Sequence, residues 1–240
     1  MDSIKFNKKN CRMIAHRGLS GVKFENTCEA FYAAASRSYY GIEADIHVTS
    51  DKKFAILHDS DTGRIGNVKL EVAQNTLEDL QKKVTLYDEN NNRLTDRIPS
   101  LADYINICKE YDKKAFLDLK NRYDPADIEK IIEEIEELGY IENTVFASFH
   151  FDNLGVVRGK LPNQKVQFLT AFVNEAILNN LEGYHFDLSV RYYGSGFTKD
   201  VVERLHKAGL EVCCWTVNDV EAALDLIDMG VDFLSTNILE

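Results

Sequence analysis

The chain has 240 residues, 45% of them hydrophobic, with 28 Lys and Arg set against 39 Asp and Glu for a net charge of −11. That length and apolar share suit one domain, spanning 1–240, with a sizeable core. The acidic balance excludes association with nucleic acid or an anionic membrane surface by long-range charge, so an anionic ligand must be held by local positive groups or a bound cation.

The N-terminal stretch has no apolar run long enough for a secretory h-region or a bilayer span, and the five cysteines (11, 28, 108, 213, 214) show neither CxxC nor metal-like spacing. The expectation is a soluble, cytoplasmic protein with reduced thiols. A first strand is expected over 13–16, where the run Met13-Ile14-Ala15 stops at His16, Arg17 and Gly18. In "NTCEAFYAAASR", Asn26 is the candidate helix N-cap, with Glu29 three residues on to complete a capping box. The second strand, 41–47, carries Glu43 and Asp45, and 54–57 follows across "TSDKK" as a hairpin-like extension ending at His58. From about 59 to 99 the sequence is polar and turn-rich around a short helix at "NTLEDLQKK"; it reads as an insertion after the second strand.

Ser100 then caps a helix whose Leu101, Tyr104, Ile105 and Cys108 share a face, and a strand at 115–119 brings Asp118 with Lys120 beyond it. Asp124 before Pro125 opens a helix with an Ile stripe at 128, 131, 132 and 135, stopped by Gly139. Further strands are expected at 144–149, 166–170, 184–188, 211–217 and 232–235. The helices "TKDVVERLHKAG" and "NDVEAALDLIDMG" each end in Gly just before a strand.

Eight main strands alternating with helices predict an α/β fold, a closed parallel (β/α)8 TIM barrel. The even spacing and the lack of a G-x-G-x-x-G turn disfavour an open doubly wound sheet. In such a barrel chemistry collects at the C-terminal ends of the strands. Glu43 and Asp45, two apart, share one face. A central barrel strand has no solvated face, and inward carboxylates need a partner. A divalent cation supplies one, and Asp118 completes an oxygen cluster suited to Mg2+ or Ca2+. Taken singly, Arg17 reads as a salt-bridge residue, Asp118 with Lys120 as a structural ion pair, and Trp215 as core. Together with His16 and His58 they form an inventory suited to phosphoester chemistry: positive charge for phosphate oxygens, one imidazole to take a proton and another to give one.

The segments "IAHRG", "FENTCEAF" and "GIEADIHVTSDKKFAILHD" resemble the glycerophosphodiester phosphodiesterase family in its order of His-Arg, Glu-Asn-Thr, Glu-x-Asp and His-Asp. "FLDLK", "CCWTVND" and "DMGVDFLSTN" are similar to its later strands. The resemblance implies the same barrel and a metal-dependent hydrolysis of small glycerophosphodiesters to glycerol 3-phosphate and an alcohol. It implies His16 and His58 as the acid–base pair, Arg17 and Lys120 as phosphate ligands, Glu43, Asp45 and Asp118 as metal ligands, and Trp215 as an apolar wall. It also makes Glu25-Asn26-Thr27 a supporting turn. Two positions depart from the family's pattern. Asp118 stands where Glu is usual, and Asn237 where Asp followed by Pro is usual, which questions any support of Arg17 or Lys120 from that position.

Three other readings stand beside this one. A Schiff-base aldolase would need an inward Lys that "GYHFDLS" lacks. A degenerate barrel would bind phosphodiesters without turnover. A phospholipase- or sphingomyelinase-like diesterase shares the barrel and its two-His logic.

Overall fold

The computed structural model describes residues 2–88 and 90–240. Its centre is a ring of eight parallel strands: β1 (Arg12–Ala15), β2 (Gly41–Val48), β4 (Lys114–Leu119), β5 (Thr144–Ser148), β6 (Val166–Thr170), β7 (Asp187–Arg191), β8 (Val212–Trp215) and β9 (Phe233–Thr236). The ring closes because β1 pairs with β2 on one side and β9 on the other. A short strand β3 (Phe54–Ile56) folds back antiparallel on the far end of β2, the expected hairpin-like extension.

Helices surround the ring: α1 (Cys28–Ala35), α3 (Leu101–Glu110), α4 (Pro125–Glu137), α5 (Phe151–Lys160), α6 (Glu175–Tyr184), α7 (Lys199–Lys207) and α8 (Val220–Met229), with α2 (Leu77–Lys83) in the insertion. Their starts follow local chemistry. Ser100 and Asp103 form a reciprocal capping box on α3, and Asp124 caps α4 with Pro125 in its first turn. The α4 stripe Ile128, Ile131, Ile132 and Ile135 is buried, each such side chain contributing roughly 1.5–3 kcal/mol. The Tyr104 hydroxyl of α3 donates to the carbonyls of Ile42 (2.8 Å) and Phe116 (3.2 Å), tying the helix to two adjacent strands. No helix among the described residues is long and apolar enough to cross a membrane.

Two expectations need correcting. The strand expected at 184–188 is β7, Asp187–Arg191. Tyr184 is the last residue of α6, and His185 caps it in the left-handed region (φ 55°), so the apolar run Tyr184–Phe186 is a helix end. The cap of α1 is Thr27, whose hydroxyl accepts from the Ala30 N–H, because Asn26 sits at φ 52° and a cap needs extended backbone.

Inside the barrel, Ile14, Phe116, Cys213 and Phe233 pack into an apolar floor. Gly41 makes room for it, since a Cβ there would lie 2.5 Å from the Phe116 ring. Ile65, Leu80, Leu86 and Ile98 of the 59–99 insertion form a second core together with Ala55 and Leu57 just before it, so the insertion is a packed lobe at the barrel rim.

Candidate active site

Alternation along the strands decides what faces the lumen. At the C-terminal ends, above the apolar floor, a cavity of about 250 Å3 is lined by all eight residues singled out from the sequence: His16, Arg17, Glu43, Asp45, His58, Asp118, Lys120 and Trp215.

The chain turns sharply after β1. Arg17 (φ 57°) and Gly18 (φ 77°) are both left-handed, and a Cβ on Gly18 would meet the Ala30 backbone at 2.7 Å. This turn aims the Arg17 backbone N–H at Glu43, to which it donates at 2.7 Å, while its guanidinium reaches back over the acidic cluster.

Asp45 and Asp118 are register partners on β2 and β4. With Glu43 they offer one oxygen each, all within 4.8 Å of one another. Lys120 Nζ bridges Asp45 (3.2 Å) and Asp118 (3.1 Å), and Arg17 Nε lies 3.2 Å from Asp45 Oδ2 without hydrogen-bond alignment. Asn26 completes the shell of Asp45, donating Nδ2–H to Oδ2 at 2.7 Å and accepting the Asp45 N–H at 3.2 Å.

The electrostatics separate the three acids. Burial would raise the Asp45 carboxyl, but Lys120 and then Arg17 outweigh it and hold it ionised, well below the usual range. Burial raises Glu43 well above its ordinary value, and Asp45 adds to this. Asp118 is pushed up to about 7, by burial first and by Asp45, against the pull of Lys120. Its Oδ1 is buried with no donor. Three crowded carboxylates, two of them strained toward protonation and one with an orphan oxygen, are a donor set that fits a hard, oxygen-preferring divalent cation; Glu43, Asp45 and Asp118 are the residues that would hold it.

The two imidazoles flank this cluster. His16 Nδ1 faces Asn237 Oδ1 at 2.7 Å, and its backbone N–H bonds the Thr236 carbonyl at 2.8 Å. Burial and the neighbouring Arg17 lower its pKa to about 4. His58 Nδ1 faces Asp59 at 2.7 Å. Asp59 accepts from Arg64 (2.6 Å), Arg64 also donates to Glu25 (2.7 Å), and Glu25 accepts from Arg17 (3.1 Å). A continuous polar chain thus joins His58 to Arg17. Trp215, at the end of β8 and across the ring from β4, stands edge-to-face with Phe149 at 5.7 Å between ring centroids.

Asn237 is placed differently from the sequence expectation: it touches His16, not Arg17 or Lys120. The sequence reading also passed over Asn26 as the partner of Asp45, Arg64 as the link between Asp59 and Glu25, and Arg191 at the cavity wall. Arg64 lies in the insertion with no local pattern to mark it.

A family model described as the glycerophosphoryl diester phosphodiesterase family matches residues 16–240. The chain is 30% identical over 240 residues to a glycerophosphodiester phosphodiesterase of Bacillus altitudinis, with 94% of each chain covered. It is 28% identical to one of Caldanaerobacter subterraneus, over 94% of this chain and 93% of that relative. Among solved structures it is similar to an Oleispira antarctica phosphodiesterase in complex with the product sn-glycerol-3-phosphate (TM-score 0.81, 21% identity, 97% and 95% of the two chains). It is also similar to a glycerophosphodiester phosphodiesterase of Thermotoga maritima (TM-score 0.74, 22% identity, 95% and 94%). These structural likenesses bear on the barrel.

Proposed function

The chain belongs to the glycerophosphoryl diester phosphodiesterase family, and from that premise we propose that residues 1–240 act as one domain that hydrolyses glycerophosphodiesters to sn-glycerol 3-phosphate and an alcohol. A divalent cation, Mg2+ or Ca2+, held by Glu43, Asp45 and Asp118, supplies Lewis-acid charge for the phosphoryl oxygens when bound. Arg17 and Lys120 contribute the fixed positive charge that offsets negative charge gathering on those oxygens in the transition state. Both cations are already oriented toward the cavity by Glu25, Asp45 and Asp118.

His16 is the base. With Nδ1–H donated to Asn237 Oδ1, its Nε2 lone pair is left free, and a pKa near 4 keeps it unprotonated at neutral pH. His58 is the acid. Asp59 accepts from Nδ1–H and fixes the ring, so that the Nε2–H of the imidazolium goes to the departing alcohol oxygen. Trp215 and Phe149 offer an apolar wall against which the substrate lies. His47 and Asn121 support the site from behind: the His47 ring bonds the His58 carbonyl (3.1 Å) and Asn121 (3.0 Å). Five free thiols suit the reducing cytoplasm in which we place the enzyme.

The observation that carries this reading is the convergence of a polarised acid cluster, two fixed cations and two differently partnered imidazoles on one cavity. The test is a panel of glycerophosphodiesters assayed for release of sn-glycerol 3-phosphate, with EDTA and then with each cation restored. Release abolished by EDTA and restored by Mg2+ or Ca2+ is expected; no release from any headgroup under any cation would remove the proposal.

A further inference from the structure

We infer that Arg191 reads an anionic group on the departing alcohol, so that diesters whose headgroup carries a carboxylate or a phosphate are the preferred substrates; this rests on the phosphodiesterase reading above. Arg191 ends β7, and β7 lies diametrically across the barrel from β2: three strands separate them in either direction around the ring. Arg191 and the β2 carboxylates line the same cavity. A diester with its phosphorus between Arg17 and Lys120 therefore has one arm directed over the mouth toward Arg191.

Arg191 differs from the other cations there. Arg17 and Lys120 each face carboxylates. Among the described residues, no carboxylate or carbonyl accepts from the Arg191 guanidinium; it rests on the rings of Tyr193 and Trp215, 5.4 Å from each centroid. In a chain with 39 acidic residues against 28 basic ones, a guanidinium at a cavity wall without an acid is free to take an anion from outside. The two rings limit its rotamers, which reduces the ordering cost of engaging a ligand, and leave its in-plane N–H fork available for a carboxylate or phosphate. They also decide against the opposite charge. Tyr193 and Trp215 would otherwise make part of an aromatic cage for a choline-like ammonium, but Arg191 already covers those faces and repels it.

Glycerophosphoserine and glycerophosphoethanolamine differ by one carboxylate, and glycerophosphoinositol 4-phosphate and glycerophosphoinositol by one phosphate. The ratio of kcat/KM within each pair, measured on one preparation, cancels the fraction of folded enzyme. In at least one pair the native enzyme is expected to favour the more anionic member by about tenfold or more, the size of a charge-assisted hydrogen bond. Arg191→Met should bring that ratio close to one, and Arg191→Lys should retain part of it. The pair that responds tells whether carboxylate or phosphate is the natural group. Ratios unchanged in Arg191→Met overturn the headgroup role while leaving the phosphodiesterase reading standing. No turnover of any diester by the native enzyme overturns both.

Discussion

His16 and Asn237 meet side chain to side chain at the barrel mouth, Nδ1 to Oδ1 at 2.7 Å. A carboxylate in that place would stabilise the imidazolium; the neutral amide orients the ring with far less effect on its charge. Burial and Arg17 then hold the His16 pKa near 4, against an ordinary 6.5. Because the shift is downward, the ring stays unprotonated until the pH falls to about 4, and the acidic limb of kcat/KM set by the base belongs there. Asn237→Asp is expected to move that limb to higher pH, with activity at pH ~5 falling relative to pH ~8. Rate profiles of the two enzymes decide it, and a limb that stays put or moves toward acid removes His16 as the base.

The unequal partners of the two imidazoles separate their roles. His16→Ala and His58→Ala should each lower kcat on natural diesters by about 10²–10⁴-fold with the thermal unfolding midpoint little changed. A p-nitrophenyl ester of glycerol phosphate has a leaving group that departs without a proton. On it, His58→Ala should recover most of the lost rate and His16→Ala should not. The reverse pattern would exchange the acid and base assignments.

Most of the barrel was legible because its signals are local and periodic: the α4 isoleucine stripe, the Ser100 and Asp124 caps, and the two-residue spacing of Glu43 and Asp45. Glu43, Asp45 and Asp118 were legible for the same reason, since period-two alternation fixes which strand side chains share the lumen, while His16, Arg17, His58 and Lys120 were marked by following the apolar strand runs directly. What escaped depends on geometry between distant segments. Asn26 has the right chemistry for a cap, and only its left-handed φ sends the amide to Asp45 instead. Arg191 was hidden by a strand boundary: the aromatic run Tyr184–Phe186 suggests an earlier strand, and ending it at 188 leaves Arg191 in a loop. Arg64 reaches Asp59 and Glu25 through the fold of the insertion lobe, which no short pattern encodes.

The acid cluster predicts a linked effect on stability. A cation that binds the folded chain alone raises the unfolding midpoint as its concentration exceeds the dissociation constant, by RT ln(1 + [L]/Kd). Mg2+ or Ca2+ should therefore stabilise the native enzyme. Asp118→Asn removes a buried carboxyl that burial and Asp45 already push up to about 7, so the metal-free variant should unfold at nearly the native temperature. Its cation-induced shift should largely vanish. An equal shift in both proteins, followed by differential scanning calorimetry, would exclude Asp118 from the cation site.

Asn26 tests whether the second layer of the site shapes function separately from stability. It is buried, left-handed at φ 52°, and bonded twice to Asp45, through Nδ2 and Oδ1. Asn26→Ala leaves the Asp45 N–H and one of its oxygens short of a partner, about 1–3 kcal/mol for a buried group. It also places a Cβ at positive φ without the local hydrogen bonds that let Asn tolerate it, about 1–2 kcal/mol more. Asn26→Gly removes the backbone part and keeps the loss at Asp45. Urea unfolding should thus rank native above Asn26→Gly above Asn26→Ala, whereas kcat/KM and cation affinity should fall alike in both variants, because both lose the grip that orients Asp45 toward Glu43 and Asp118. Activity that tracked stability across the series would mean that Asn26 serves the turn alone, and that Asp45 keeps its orientation through Arg17 and Lys120 without it.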